Sequence, residues 1–307
     1  MFEDILGIKK STFGLDIGLK TMKMVQVRGT GPRAYLEGAM EVEVPEHSIT
    51  KEGVKDKEKL AEILKKALTD AKPARINAKI VASALPESLV FTKSLDVPKM
   101  THAELAKNIP YQANEFFPIP PEETYLDWQV VGTLPDGTME VLVVAAPKIL
   151  VDSLIETVHL TGFELMGLET KPTAITRALI PVKTKGPLLV IDIGAEASSM
   201  ICFDQDAIKL TSTLTFGGNE IAKDVNKGVQ SLVNEISHLM KYYQNRLAQA
   251  KVFNKVILAG GGANIKEVPE LVEQAIKIKT EVGAPIIKVA NYDPKFAVAI
   301  GLALKEI

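Results

Sequence analysis

The tightest constraint on the fold of this chain is a repeat. Phe13-Gly14-Leu15-Asp16-Ile17-Gly18-Leu19-Lys20-Thr21 is a short apolar strand running into Asp-x-Gly, with a second strand over 22–28 and a third over 34–44. Leu188-Leu189-Val190-Ile191-Asp192-Ile193-Gly194-Ala195-Glu196-Ala197 has the same layout. It too is followed by strands, over 199–203 and 207–213, joined at Asp204-Gln205-Asp206. Two copies of one strand and turn pattern in a single chain predict two related halves.

Each turn carries one carboxylate and a run of backbone N–H groups, and successive N–H groups can converge on a phosphate. Glycine after the aspartate lets the backbone come close to such a ligand. Asp-x-Gly at a turn is commonplace, so a plain hairpin is the competing reading of either copy alone. Facing each other, the two turns can grip one phosphate chain from both sides. The candidate phosphate-binding residues are Asp16, Gly18, Leu19, Lys20 and Thr21 in the first turn, and Asp192, Gly194, Ala195 and Glu196 in the second. Asp16 and Asp192 can each hold a hydrated Mg2+ against that phosphate.

At 307 residues the chain has room for two domains. A net charge of -2 offers no electrostatic case for nucleic acid or anionic lipid as the main partner. The single cysteine, Cys202, cannot form an internal disulfide, which suits an intracellular protein. No apolar run approaches the ~20 residues of a membrane span. Residues 1–10 read as a frayed terminus, or as a short amphipathic helix touching a membrane or a partner.

Between the repeats the pattern alternates. Residues 45–55 read as a polar loop. Asp56 is placed to cap an amphipathic helix bearing Leu60, Ile63, Leu64, Ala67, Leu68 and Ala71 on one face. Strands are predicted over 79–84 and 90–97. A helix from Thr101 has Glu104 as the partner of a capping box and Pro110 inside it, which should kink it. Strands over 125–131 and 139–146 meet at Pro135-Asp136-Gly137, a hairpin signal. Pro147 is placed at the first position of a helix. A strand over 163–168 and a helix over 173–180 lead to a joint at 184–187.

In the second half, Phe216-Gly217-Gly218-Asn219 precedes a long helical pattern in which Gly228 is read as a break. Lys255 to Ala259 is a strand entering Gly260-Gly261-Gly262-Ala263-Asn264. Three glycines leave no side chain between backbone and ligand, so Gly260, Gly261, Gly262 and Asn264 are the candidates for contact with a base or ribose. A last strand is predicted over 286–289, and a last helix over 295–305, opened by Pro294.

No Gly-Lys dipeptide occurs, which excludes a P-loop. The four histidines are scattered without metal spacing, and no Gly-x-Ser-x-Gly elbow is present.

Two Asp-x-Gly hairpins, a later triple-glycine turn and a closing helix of small residues resemble the actin-like ATPase fold over nearly the whole chain. The fold class this implies is α/β, an actin-like (ribonuclease H-like) duplication with an α+β subdomain inserted in the first half. The divisions expected are 11–183 with an insertion at about 86–162, 184–290 with a reduced upper lobe at about 216–250, and a closing helix in 291–307 packing back on the first domain. Lys23, seven residues after Asp16, matches the phosphate-contacting lysine of the actin pattern. Within the superfamily the chain resembles the PilM family of type IV pilus assembly proteins. The residues that carry this are Ser94-Leu95-Asp96-Val97-Pro98, 109–120, Tyr125-Leu126-Asp127-Trp128-Gln129-Val130, Val143-Val144-Ala145-Ala146-Pro147-Lys148 and Phe216-Gly217-Gly218-Asn219-Glu220-Ile221.

The PilM resemblance implies ATP with Mg2+ between the two halves, and the cytoplasmic N-terminal tail of PilN in a groove beside the inserted subdomain. For that groove it points to Ile109, Tyr111, Phe116 and Phe117. It implies a cytoplasmic protein, peripheral to the inner membrane through its partner, among pilus motor and platform proteins. Glu169 is the candidate to orient an attacking water, with a solvated strand end as its competing reading. The chain departs from the family between Val225 and Ser231, where members carry a longer segment with ribose and base contacts. That departure predicts weak ATP binding or none, and little ATPase activity. The alternatives are an active actin-fold ATPase or small-molecule kinase, and a filament-forming protein of the FtsA type.

Overall fold

The computed structural model describes residues 11–134, 136–245 and 252–305. The readings of residues 1–10 and of Pro135 fall outside these. The chain opens with β1 (Thr12–Ile17), β2 (Thr21–Arg28) and β3 (Tyr35–Glu43). The stretch expected as a loop holds a small hairpin, β4 (Ile49–Thr50) and β5 (Gly53–Val54). Helix α1 (Lys57–Asp70) follows, with the Asp56 carboxylate accepting from Lys59 N–H at 2.9 Å. Next come β6 (Lys72–Pro73), β7 (Ile80–Leu85) and β8 (Phe91–Val97).

Helix α2 (His102–Phe116) has the full Thr101–Glu104 capping box and is continuous across Pro110. Strands β9 (Thr124–Thr133) and β10 (Met139–Pro147) form the expected hairpin, whose turn is held by Asp136 accepting from Thr138 N–H at 2.9 Å. Pro147 ends β10 and caps α3 (Lys148–Leu160), one residue earlier than the position expected for it. Then come β11 (Glu164–Thr170), α4 (Lys171–Leu179), β12 (Leu188–Ile193), β13 (Ser198–Asp204), β14 (Ala207–Leu214), α5 (Gly218–Ile221), α6 (Val225–Asn245), β15 (Lys255–Ala259), α7 (Glu267–Ile276), β16 (Thr280–Val282) and α8 (Ala297–Ala303).

The repeat is a repeat of topology. The first sheet runs β11-β7-β1-β2-β3-β6 and the second β16-β15-β12-β13-β14. In both, the aspartate strand is antiparallel to the strand after its turn and parallel to the strand on its other side. Asp16 pairs with Lys23 and Asp192 with Ser199, each seven residues on. Helices α4 and α8 lie between the two sheets in a shared core with Val25, Ala82, Ala84, Val190, Ile201 and Ile257. They approach so closely that a Cβ on Gly301 would collide with the Ala174 carbonyl. The outer face of the first sheet is covered by α1 and α3, that of the second by α6 and α7. With both faces covered, every residue of β1 is buried.

The insertion between β7 and β11 adds a three-stranded sheet, β8-β10-β9, on which α2 buries Leu105 and Ile109. This sheet meets β14. The buried Lys209 ammonium donates to the Val131 carbonyl and stands 3.3 Å from the buried Glu140 carboxylate, while Ser94 Oγ donates to Lys209 O at 2.6 Å.

Two expectations need correction. The helix break lies at 222–224, where Asp224 accepts from Lys227 N–H at 3.1 Å and begins α6 anew. Gly228 instead sits inside α6 against Ile221, where a Cβ would be 2.7 Å from Ile221 Cα. The last strand is 280–282, not 286–289. Residues 286–289 leave the second sheet after Gly283 and Pro285 and bridge toward the first, with Lys288 N–H donating to Ala34 O at 3.1 Å. Among the described residues, no helix is long and apolar enough to cross a membrane.

Candidate functional site: a cleft between the two aspartate turns

Side chains alternate along a strand. Phe13, Leu15 and Ile17 face the outer core of the first sheet, so Asp16 faces the other way, toward the second sheet. Leu189, Ile191 and Ile193 face the outer core of the second sheet, and Val190 and Asp192 face inward. Both aspartates thus reach the space between the sheets at strand ends, bounded by Lys171 at the start of α4 and by Val298 of α8. That space is a cleft of about 420 Å3.

The cleft is lined by Asp16, Gly18, Leu19, Lys20, Thr21 and Lys23 from the first turn, and by Asp192, Gly194, Ala195 and Glu196 from the second. The two turns touch: Lys20 Nζ is 3.5 Å from Glu196 Oε1, as well as 3.2 Å from Glu46. Gly18 N–H donates to Thr21 O at 2.9 Å, closing the first turn. Lys23 donates to Thr21 Oγ1 at 2.7 Å and lies 3.6 Å from Glu41. In the second turn, Ser198 Oγ donates to Phe216 O at 2.9 Å, while Ser199 lines the cleft.

Gly260, Gly261 and Gly262 also line the cleft, but for different reasons. Gly260 has φ 79° and leaves no room for a Cβ beside Asp192 Oδ1. A Cβ on Gly262 would collide with Ile193. Only at Gly261 would a Cβ fit, at ordinary contact distance from its nearest neighbour, Lys295 Cβ, at 4.0 Å. Two of the three glycines therefore answer to internal packing. Asn264 is not in the cleft lining; its amide donates to Asp293 at 2.9 Å.

Glu169 is outside the cleft as well. Its carboxylate takes both guanidinium nitrogens of Arg177, at 2.6 and 3.0 Å, and Lys305 at 3.1 Å. A carboxylate so engaged ties β11 to α4 and the chain after α8, and is not placed to orient a water in the cleft. Of the expected groove residues, Ile109 is fully buried in the core of the insertion. Tyr111 and Phe116 are exposed, Phe116 with Lys93 Nζ 3.8 Å from its ring centroid, and Phe117 packs beside Phe91.

Sequence reasoning missed two groups on the cleft floor. Lys171, the first residue of α4, places Nζ 2.7 Å from Asp16 Oδ1. Glu87, in the turn after β7, is buried and has Oε2 without a hydrogen-bond partner. The Lys171 ammonium and backbone N–H both act on its carboxyl and oppose a rise in its pKa. Burial alone would lower the Lys171 pKa, but Asp16, Asp192 and Glu87 outweigh it and hold the group above the ordinary lysine value. Burial raises the Asp192 carboxyl, with Lys171 opposing that rise and Asp16 adding to it. Burial likewise pushes Glu87 up to about 7. Nothing local marks either residue; each becomes visible only when β7 and α4 come together beside β1.

The expectation of Mg2+ on Asp16 and Asp192 meets this ammonium. Asp16 already has a cation at contact distance, and a divalent ion there would stand beside a buried positive charge. Among the described residues, no group of three His, Cys, Asp or Glu side chains is placed to hold a metal. In this arrangement a divalent cation at Asp16 would compete with the Lys171 ammonium for the same carboxylate.

Comparison with known proteins gives the setting. The family model described as "Type IV pilus assembly protein PilM" matches residues 14–231, and that of the cell division protein FtsA matches 189–301. A solved PilM-PilN type IV pilus biogenesis complex is similar with a TM-score of 0.80 and 23% identity, over 96% of this chain and 98% of that one. The ethanolamine utilization protein EutJ from Carboxydothermus hydrogenoformans is similar with a TM-score of 0.56 and 14% identity, over 95% and 88%. A Bacteroides thetaiotaomicron protein described as having an actin-like ATPase fold is similar at 0.53 and 10% identity, over 99% of both chains. The duplicated sheets with their two intervening helices are thus an actin-like ATPase fold.

Proposed function

The chain belongs to the type IV pilus assembly PilM family, and from that premise we propose that it is an adaptor of the pilus platform. In this reading it works at the cytoplasmic face of the inner membrane. It binds the N-terminal tail of PilN on the inserted subdomain and takes ATP in the cleft as a conformational ligand. Motor and other platform proteins are the further partners of such an adaptor.

The observation that carries the reading is the path of β14. Near its start, Lys209 fastens the inserted sheet through Glu140 and Val131; near its end, Thr213 lines the cleft. One strand therefore reaches both the cleft and the subdomain that displays Tyr111 and Phe116. A ligand that favours one setting of the cleft shifts the insertion by its differential affinity for the two settings. Between β14 and β15 the described residues supply only α5 and α6, so that side has few groups for a base, and the nucleotide is held weakly, chiefly by its phosphates.

The test is fluorescence anisotropy with a labelled peptide of the PilN tail. The adaptor reading expects saturable binding that weakens about tenfold or more for Tyr111→Ala or Phe116→Ala. Peptide binding untouched by both substitutions would move the partner site off this subdomain, and no binding would remove the adaptor reading.

A further inference from the structure

We propose that Lys171 takes the place of the divalent cation in this cleft, so that the protein binds nucleotide without Mg2+. The inference rests on the nucleotide reading above.

In a phosphate cleft, a metal ion bridges protein carboxylates and phosphate oxygens, neutralising both. Here a carboxylate that would hold the hydrated ion, Asp16, is met by Lys171 Nζ at 2.7 Å. Asp192 and Glu87 act electrostatically on the same ammonium. The lysine is held at its base by the start of α4 and stands against Asp16 at its tip, with the buried Glu87 carboxyl acting on it electrostatically. The following residue, Pro172, fixes the start of α4. This is an ammonium held in position rather than a mobile surface charge, with 15% of its side chain exposed toward the cleft it lines.

The other cleft cations add to it. Lys20 and Lys23 come from the first turn, and Lys295 from the segment before α8, 2.7 Å from Glu41. Lys295 and Lys23 share Glu41, so their two positive charges meet one carboxylate. Phosphate oxygens entering between the turns thus find ammonium groups from both halves of the chain. A Mg2+ ion arriving with them would have to displace the Lys171 ammonium from Asp16 into a buried setting.

The experiment is calorimetric titration of the full chain with ATP, once in excess Mg2+ and once in excess EDTA. The inference expects the two dissociation constants to agree within about threefold. An affinity that falls by about tenfold or more in EDTA overturns the lysine inference and leaves the nucleotide reading standing. No binding in either buffer overturns both. Lys171→Met is the variant to compare, its fold checked by melting temperature. It should lose at least about tenfold in EDTA and regain part of that in Mg2+. Should it fail to fold, Lys171→Arg keeps a cation in place and should still bind equally in both buffers. Binding by Lys171→Met in EDTA that equals the parent's would overturn the inference.

Discussion

Arg177 holds Glu169 through both guanidinium nitrogens, at 2.6 and 3.0 Å, and the same guanidinium donates to Gly301 O at 2.8 Å. The pair joins β11, α4 and α8 at the point where the two central helices cross. A charge-assisted, bidentate contact of this kind is structural. Glu169→Gln should cost about 1–2 kcal/mol of stability and leave ATP affinity unchanged. Denaturant unfolding and nucleotide titration of the same variant check this. A stable variant with impaired nucleotide binding would return Glu169 to the site.

Lys209 and Glu140 form the other joint, and both are buried. Removing one member of a buried pair leaves a charge in low dielectric, so Lys209→Met should destabilise by about 3 kcal/mol or more. It should also uncouple the ends of β14. Tail-peptide affinity, if altered by ATP in the parent, should no longer respond in the variant. Unchanged stability and unchanged coupling would show that the insertion is not fastened here.

Glu87 makes stability depend on pH. Its carboxyl is pushed up to about 7 by burial, against an ordinary value of 4.5. Folding therefore favours its neutral form. The stabilising contribution is complete below pH 4.5 and is lost as pH rises through 7, a span worth roughly 3 kcal/mol at 1.36 kcal/mol per unit. Melting curves between pH 5 and 8 should show the parent losing stability relative to Glu87→Gln as pH rises. Parallel curves would mean that the carboxyl is not buried against Lys171 as described.

What could be read in the sequence was local or repeated. The Asp56 cap, the Thr101–Glu104 box and the 136–137 turn are short-range hydrogen-bond devices, and each forms as its residues dictate. The duplication was legible because each half carries the same strand–turn–strand signal before a parallel partner arrives. Lys171 was not, because its role depends on Asp16, far away in sequence, and a buried lysine has the same letter as a solvated one. Ile109 is given to the groove by family resemblance alone, and resemblance does not say which face of the helix this sheet covers: Ile109 is buried, while Tyr111 and Phe116 are exposed. Gly228, Gly260 and Gly262 mark close approaches between elements, where a break and a ligand platform are the local readings.

The cleft between the two aspartate turns is the proposed nucleotide site, and Gly261 is the place to test it. A Cβ there would meet only Lys295 Cβ, at the ordinary contact distance of 4.0 Å, whereas Gly260 and Gly262 have no room for one. ATP titration of the parent and of Gly261→Leu, with melting temperatures alongside, is the direct measurement. The expected result is weak saturable binding by the parent, a loss of about tenfold or more in Gly261→Leu, and no fall in melting temperature. Binding that survives the substitution would place the nucleotide elsewhere, and a parent that gives no heat would mean that the cleft serves as a fixed part of a docking scaffold.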